Sequence, residues 1–121
     1  MKGKLTLTIE ERPDAKGVLR VEGSVDPGTL KDFEAAFKQI DKLGIKHIVI
    51  DVEHMTYISS AGLSVLVNAK VDRVQKHGDV VLVKPQPPVA NVLDILLKGV
   101  FRLASSVEEA LHPRDRRHSS G

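Results

Sequence analysis

Two adjacent serines are the residues of this chain best suited to reversible chemistry. Ser59 and Ser60 follow a predicted buried strand and its polar connection, and they precede the small residues Ala61 and Gly62. A serine at a helix start accepts a hydrogen bond from an otherwise unpaired N–H group, which stabilises the helix by about 1 kcal/mol. The same position accommodates a phosphate, because free N–H groups and the positive end of the helix dipole favour negative charge. The pattern therefore fits a simple helix cap, and it also fits a serine whose phosphorylation changes a docking surface and spares the fold.

The sequence lacks the residue patterns that carry catalysis. His47, His54 and His77 stand alone, without HExxH or a comparable ligand spacing. The chain has neither the GxSxG motif of a nucleophilic serine nor a GxxxxGK[ST] phosphate loop. It contains no cysteine, which excludes disulfides, thiolate nucleophiles and zinc sites that need sulfur. We therefore expect no catalytic residue, no metal and no cofactor, and we predict that the protein is not an enzyme.

Length and composition predict one globular domain. The chain has 121 residues, of which 41% are apolar and 28% are charged. Only 3% of the residues are aromatic, so the core must be built from valine, leucine, isoleucine and alanine. No apolar run approaches the ~18 residues that a membrane span requires, and the N-terminal residues do not form the apolar core of a signal peptide. We expect a soluble protein of the cytoplasm without membrane insertion.

The excess basic charge of the chain lies at its C-terminal end. Residues 112–121 hold three arginines and one aspartate, so the 18 basic and 16 acidic residues of the chain leave 15 of each in the remainder. A nucleic-acid footprint should instead lie on a folded surface. We predict a single domain over residues 1–111, a basic and flexible tail over residues 112–121, and no nucleic-acid partner.

Hydrophobic periodicity predicts an alternation of strands and helices. Strands are predicted over residues 5–9, 18–23, 45–52, 79–83 and 101–104. The third of these strands should be followed by a polar connection that contains Glu53, His54 and Thr56. A first helix should begin after Thr29 as its N-cap, with Asp32 three residues on, and should end at Gly44.

The remaining helices are placed by their apolar stripes and their caps. The second helix should begin near Ser59 or Ser60 and end at Gly78, and the third helix precedes a last helical turn with Ser106 and Glu109 as its capping box. The predicted buried residues are Leu63, Val67, Val71 and Val74 in the second helix, and Val89, Leu93, Leu96 and Val100 in the third. The order β-β-α-β-α-β-α-β-α predicts an α/β fold with a mixed sheet of about four to five strands and about four helices.

Two local patterns give the chain a family resemblance. Gly23-Ser24-Val25-Asp26, leading into Thr29, is similar to the Gly-x-Leu/Val-Asp stretch before the first helix of STAS domains in the anti-sigma factor antagonist family. More specifically, Ile50-Asp51-Val52 followed by Tyr57-Ile58-Ser59-Ser60-Ala61-Gly62-Leu63 is similar to the aliphatic-Asp-Ser-Ser/Thr/Ala-Gly-Leu signature of that family. The order of the predicted elements also matches over residues 4–111. The resemblance implies the STAS fold.

The resemblance further implies a phosphorylated serine and its surroundings. When the signature is registered on Gly62, the phosphoacceptor of the family falls on Ser60. Many members have an aspartate immediately before the acceptor, whereas this chain has Ser59, which is therefore the second candidate. Asp26 corresponds to a family residue near the phosphoserine, although a turn-forming aspartate before Pro27 explains it equally. The implied partner surface and phosphosite environment comprise Asp26, Thr29, Ser59, Ala61, Gly62, Leu63, Ser64 and Asn68.

The function that the resemblance implies is partner switching in transcription regulation. An unphosphorylated antagonist binds an anti-sigma factor that is also a serine kinase of the GHKL ATPase type, the kinase phosphorylates Ser60, and a PP2C-like phosphatase restores the serine. The alternative is a STAS interaction subunit of a transporter or of a larger signalling assembly, without phospho-switching. A nucleotide hydrolase that uses Ser60 or Asp26 has no motif to support it. We expect a monomer, because the body of the chain is neutral and shows no surplus apolar stripe.

Overall fold

Five strands and four helices alternate along residues 4–112, which are the residues that the computed structural model describes. Their order is the predicted one. The elements are β1 (Leu5–Arg12), β2 (Lys16–Val25), α1 (Leu30–Lys42), β3 (His47–Ile58), α2 (Ser60–Gln75), β4 (Asp79–Val83), α3 (Pro87–Leu96), β5 (Arg102–Ala104) and α4 (Val107–Leu111). Of the predicted basic tail, only His112 belongs to the described residues.

The strands form one mixed sheet in the order β1-β2-β3-β4-β5. β1 and β2 make an antiparallel hairpin, whose turn contains Asp14 and Ala15 at positive φ, and the pairs from β2 to β5 are parallel. Parallel strands place their carboxyl ends at one edge of a sheet, and the helix that follows each strand begins there. The topology therefore brings the starts of α1, α2 and α3 to the same edge, and the predicted mixed sheet is confirmed.

The two faces of the sheet are covered unequally. On one face, α1, α2 and α3 pack over a large core that includes Leu19, Phe33, Ile50, Leu66 and Leu82. On the other face, only α4 of the described elements packs in a cluster with the strands, and its members are Val18, Val49, Val81, Val83, Ala110 and Leu111. Aliphatic residues dominate both clusters, as the low aromatic content predicted.

Strand β3 extends beyond the predicted end at residue 52, because the polar residues that follow are also part of the strand. The polar connection expected after residue 52 is part of β3, which continues to Ile58. Its apolar residues Met55 and Ile58 are buried, while Glu53, His54 and Thr56 are exposed. Pairing with β2 extends to the partners Val25 and Ile58, with two register shifts on the way. The hydrogen bonds of this ladder hold polar residues in an extended conformation that their propensity alone does not favour.

The buried face of α2 differs from the predicted one. Leu63 is buried as expected, but the stripe continues through Leu66, Ala69 and Arg73. Val71 and Val74, which the pattern predicted as buried, are each 50% exposed. Arg73 occupies the core side of the helix with polar partners, an arrangement that a count of apolar residues does not anticipate.

The buried Arg73 joins α2 to two other parts of the chain. Its side chain is 5% exposed, and its Nη1 donates a hydrogen bond of 2.6 Å to the backbone carbonyl of Ile45, just before β3. Its Nη2 forms ion pairs with Asp41 of α1 and with Asp72, the latter at 2.9 Å. A planar guanidinium suits this position because it presents several donors in a fixed geometry.

Substitution of Arg73 should reveal the value of these contacts. We expect Arg73→Met to lower the free energy of unfolding by about 1–3 kcal/mol, because the buried carbonyl of Ile45 loses its donor. Lys76→Met is the matched control, since Lys76 also pairs with Asp72, at 3.3 Å, but is exposed. It should change the free energy of unfolding by less than about 0.5 kcal/mol. Equilibrium unfolding in urea measures both, and equal effects would contradict the role assigned to Arg73.

Candidate functional site

The candidate site lies at the sheet edge where β2 and β3 end side by side. Val25 and Ile58 are the last paired residues of these two parallel strands. The backbone N–H of Ser59 donates a hydrogen bond of 2.9 Å to the carbonyl of Val25. This contact places the loop that carries Asp26 beside the start of α2. The structure thus brings together the two segments on which the sequence patterns converge.

The two serines have different environments. Ser59 is the N-cap of α2: it is half-buried, and its Oγ accepts a hydrogen bond of 3.1 Å from the N–H of Gly62. Ser60 is the first residue of the helix and is exposed, and its hydroxyl is not engaged in a hydrogen bond within residues 4–112. The helix cap expected at Ser59 or Ser60 is therefore Ser59, and Ser60 is the more exposed of the two.

Gly62 allows the first turn of α2 to lie close to the ends of both strands. A Cβ atom at this position would lie 2.8 Å from Cγ1 of Ile58 and 2.8 Å from Cγ1 of Val25, closer than packed carbon atoms tolerate. Among its neighbours, Ala61 is exposed and Leu63 is buried in the core. The small residue at position 62 is a packing requirement that holds the serines at the sheet edge.

Asp26 organises the loop between β2 and α1. Its Oδ1 accepts hydrogen bonds from the N–H groups of Gly28, at 2.9 Å, and Thr29, at 3.2 Å, while its Oδ2 accepts one of 3.0 Å from the hydroxyl of Ser24. The hydroxyl of Ser24, followed by the backbone N–H of Gly28 and the groups of Thr29, lowers the pKa of Asp26, while desolvation opposes them. The turn-forming role that the sequence suggested for Asp26 is present in the structure, and no hydrogen bond joins its side chain to Ser60 within the described residues.

Thr29 occupies the predicted N-cap position of α1 but does not cap the helix with its side chain. It is buried, and its hydroxyl donates a hydrogen bond of 2.8 Å to the carbonyl of Ser24 and accepts one of 3.0 Å from the N–H of Asp26. The backbone N–H of Thr29 itself donates a hydrogen bond to the carboxylate of Asp26. The prediction of a side-chain cap was wrong, because Thr29 is turned inward to tie the two ends of the loop together.

A groove runs between α2 and the end of α3, and we call it the α2–α3 groove. It has a volume of about 370 Å³ and is lined by Ser60, Leu63, Ser64, Val67 and Asn68 from α2, and by Leu96 and Leu97 from the end of α3 and the residue after it. Ser64 and Asn68 are exposed, as the sequence predicted. Leu96 is 61% exposed, so its predicted burial was wrong. The run Ile95-Leu96-Leu97 is longer than one buried stripe needs, so the chain does carry surplus apolar residues here, contrary to the expectation from its sequence.

Residues 4–112 contain no group of three or more His, Cys, Asp or Glu side chains arranged to hold a metal ion. Within the same range, no helix is both long enough and apolar enough to cross a bilayer.

The hydrogen bond from Ser24 can be tested through the titration of Asp26. We expect the pKa of Asp26 to be higher in Ser24→Ala than in the unmodified chain, because the variant lacks the donor that stabilises the carboxylate most. A lowered pKa in the folded state means that these bonds stabilise the fold at neutral pH and lose that effect as the pH falls through the pKa of Asp26. Carbon-13 NMR of the Asp26 carboxyl group measures its titration midpoint in Ser24→Ala and in the unmodified chain. Ser105→Ala is the control. Equal midpoints in Ser24→Ala and the unmodified chain would contradict the assignment.

Comparison of the sequence with families and characterised proteins gives a consistent result. The model of the STAS domain matches residues 6–110. The chain is 32% identical over 109 residues to BtrV of Bordetella bronchiseptica, a protein to which the role of anti-sigma factor antagonist is ascribed. The aligned region covers 88% of this chain and 90% of BtrV.

Solved structures of similar fold agree with the sequence match. The unphosphorylated form of the anti-sigma factor antagonist SpoIIAA superposes with a TM-score of 0.77 at 19% identity, covering 94% of this chain and 97% of SpoIIAA. The phosphorylated form of SpoIIAA, from Bacillus, gives a TM-score of 0.71 at 19% identity and covers 93% and 99%. An anti-sigma factor antagonist from Mycobacterium paratuberculosis gives 0.76 at 23% identity and covers 91% and 93%. With the fold matched and the family model covering nearly all of the described residues, the chain belongs to the STAS domain family.

Proposed function

We propose that the chain is an anti-sigma factor antagonist that binds its anti-sigma factor while Ser60 is unphosphorylated and releases it when Ser60 carries a phosphate. The observation that carries the proposal is the exposure of the Ser60 hydroxyl at the first residue of α2, next to a half-buried Ser59 that caps the helix. The similarity to BtrV and the SpoIIAA fold supports the general role. This role is regulatory and needs no catalytic group of the chain itself.

The position of Ser60 suits a phosphate that changes binding without unfolding the domain. The start of α2 offers a positive dipole end and N–H groups of the first turn. Both forms of SpoIIAA superpose on this chain, which supports a fold that persists when a phosphate is added. A phosphate adds about −1.5 to −2 charges, and an unpaired charge buried in an interface costs several kcal/mol. Since each 1.4 kcal/mol is a tenfold change in affinity, this charge is sufficient to dissociate a complex.

The proposed cycle needs two enzymes. The anti-sigma factor acts as a serine kinase of the GHKL type. The Oγ of Ser60 forms a bond with the γ-phosphorus of ATP, the bond from that phosphorus to the bridging oxygen breaks, and ADP leaves with this oxygen. The proton of the hydroxyl passes to a base of the kinase. A PP2C-like phosphatase hydrolyses the phosphoserine and restores the binding form. While the antagonist occupies the anti-sigma factor, the sigma factor is free to direct transcription.

Phosphate labelling tests the acceptor. In an extract of the source cells with radiolabelled ATP, we expect Ser60→Ala to lose labelling entirely, whereas Ser59→Ala keeps the acceptor hydroxyl and is still labelled. Phosphopeptide mass spectrometry checks the position. Labelling that persists in Ser60→Ala and disappears in Ser59→Ala would move the site to Ser59. A chain without phosphoserine that co-purifies with a transporter ATPase would favour the alternative of a constitutive interaction subunit.

A charge at position 60 should weaken the complex. We expect Ser60→Asp to raise the Kd for the anti-sigma factor at least tenfold in calorimetry, because the carboxylate must be desolvated in the interface. Gln75→Glu is the control, since it adds one negative charge to the exposed end of the same helix, away from Ser60. An unchanged Kd for Ser60→Asp would contradict the switch.

A further inference from the structure

The end of α3 leaves large apolar side chains in solvent beside the proposed phosphorylation site. Ile95 is 77% exposed and Leu96 is 61% exposed. Leu96 lies three residues after Leu93 and seven after Val89, both of which are buried, so it has the sequence position of a core residue. Its side chain instead lines the α2–α3 groove together with Ser60. Apolar surface of this kind, which the domain itself does not cover, is typical of an interaction site.

The groove is lined by four apolar residues and three polar but uncharged ones. On the α2 side of the groove, Leu63 is 6% exposed and belongs to the hydrophobic core, and Val67 is half-buried. Leu96 and Leu97 face them from the other side. Of the described residues that line the groove, none carries a charge. A side chain that enters it therefore gains apolar contacts and finds no ionic partner.

We infer that the α2–α3 groove is the apolar anchor site for the anti-sigma factor and receives an aliphatic side chain of that protein. The inference rests on the proposed function and extends the binding surface from the start of α2 to α3. The occupant is assigned to the anti-sigma factor because Ser60 itself lines the groove: a protein that fills the groove necessarily covers Ser60. An aliphatic residue fits because four of the seven lining residues are leucine or valine and none of the seven is charged.

The shared lining explains how phosphorylation releases the partner. In the free protein, a phosphate on Ser60 is hydrated and lies at the positive end of α2. In the complex, a side chain in the groove excludes water from the same place, and the lining supplies no cation for the phosphate. The phosphate dianion therefore cannot stay hydrated while the apolar side chain occupies the groove, and the complex dissociates.

Substitution of Leu96 tests the inference. The partner is the anti-sigma factor that co-purifies with the chain from the source cells, afterwards expressed and purified alone. We expect Leu96→Ser to raise its Kd at least tenfold, which is about 1.4 kcal/mol, whereas Val74→Ser raises it less than twofold. Val74 is a matched control because it is also apolar and 50% exposed, lies on α2 and is outside the groove. Thermal unfolding of both variants checks that they stay folded, as their exposure predicts.

A double substitution separates this inference from the proposed function. If Leu96 and Ser60 act in one interface, Leu96→Ser combined with Ser60→Asp weakens binding less than the product of the two single effects. A multiplicative effect, or unchanged binding of Leu96→Ser while Ser60→Asp binds weakly, overturns the groove assignment and leaves the switch standing. If neither variant changes binding, or no anti-sigma factor co-purifies, the proposed function fails and the inference with it. A dimer in sedimentation that Leu96→Ser abolishes would assign the groove to a second copy of the chain, which also overturns the inference.

Discussion

The site depends on the parallel pairing of β2 with β3 as far as Val25 and Ile58. At that point the ladder ends, and the hydrogen bond from the N–H of Ser59 to the carbonyl of Val25 fixes where α2 begins. Gly62 then lets the first turn of α2 settle against both strand ends, because any Cβ there would overlap Ile58 and Val25. The loop that carries Asp26 starts from the same place, since it follows β2 directly. One backbone constraint thus positions both segments of the site, and neither needs a direct side-chain bond to the other.

This arrangement gives the two adjacent serines different positions and different exposure. Ser59 satisfies the N–H of Gly62 and is half-buried, so its hydroxyl is part of the helix terminus. Ser60, one residue later, takes the first helical position and faces solvent. Ser59 has the extended backbone of an N-cap and Ser60 the first helical one, so the two neighbours have different environments. Their difference in exposure gives a physical reason why a modifying enzyme would discriminate between identical side chains.

Local signals in the sequence predicted much of the fold and part of the site. β4 has its predicted bounds, and Ser106 caps α4 through the N–H of Glu109, since strand periodicity and a capping box are each encoded within a few residues. The length of β3 could not be predicted in this way, because its polar half is extended only through pairing with β2. The predicted buried face of α2 was wrong because Arg73 binds the carbonyl of Ile45 and the carboxylate of Asp41, both outside α2, which no local pattern records. For the same reason the groove was not foreseen: the exposure of Leu96 depends on where α3 lies relative to α2.

The second face of the sheet has a consequence for how the protein is made. Its valines are covered by the five residues of α4. The side-chain amine of Lys16 donates a hydrogen bond of 2.8 Å to the carbonyl of Leu111, which lies 95 positions later in the chain. During synthesis, the hairpin and the three larger helices leave the ribosome before α4 does. A nascent chain can therefore assemble the face that carries Ser60 while the opposite face is still bare. Until α4 emerges and packs on this face, the valines of β2, β3 and β4 are open to chaperones and to other unfinished chains.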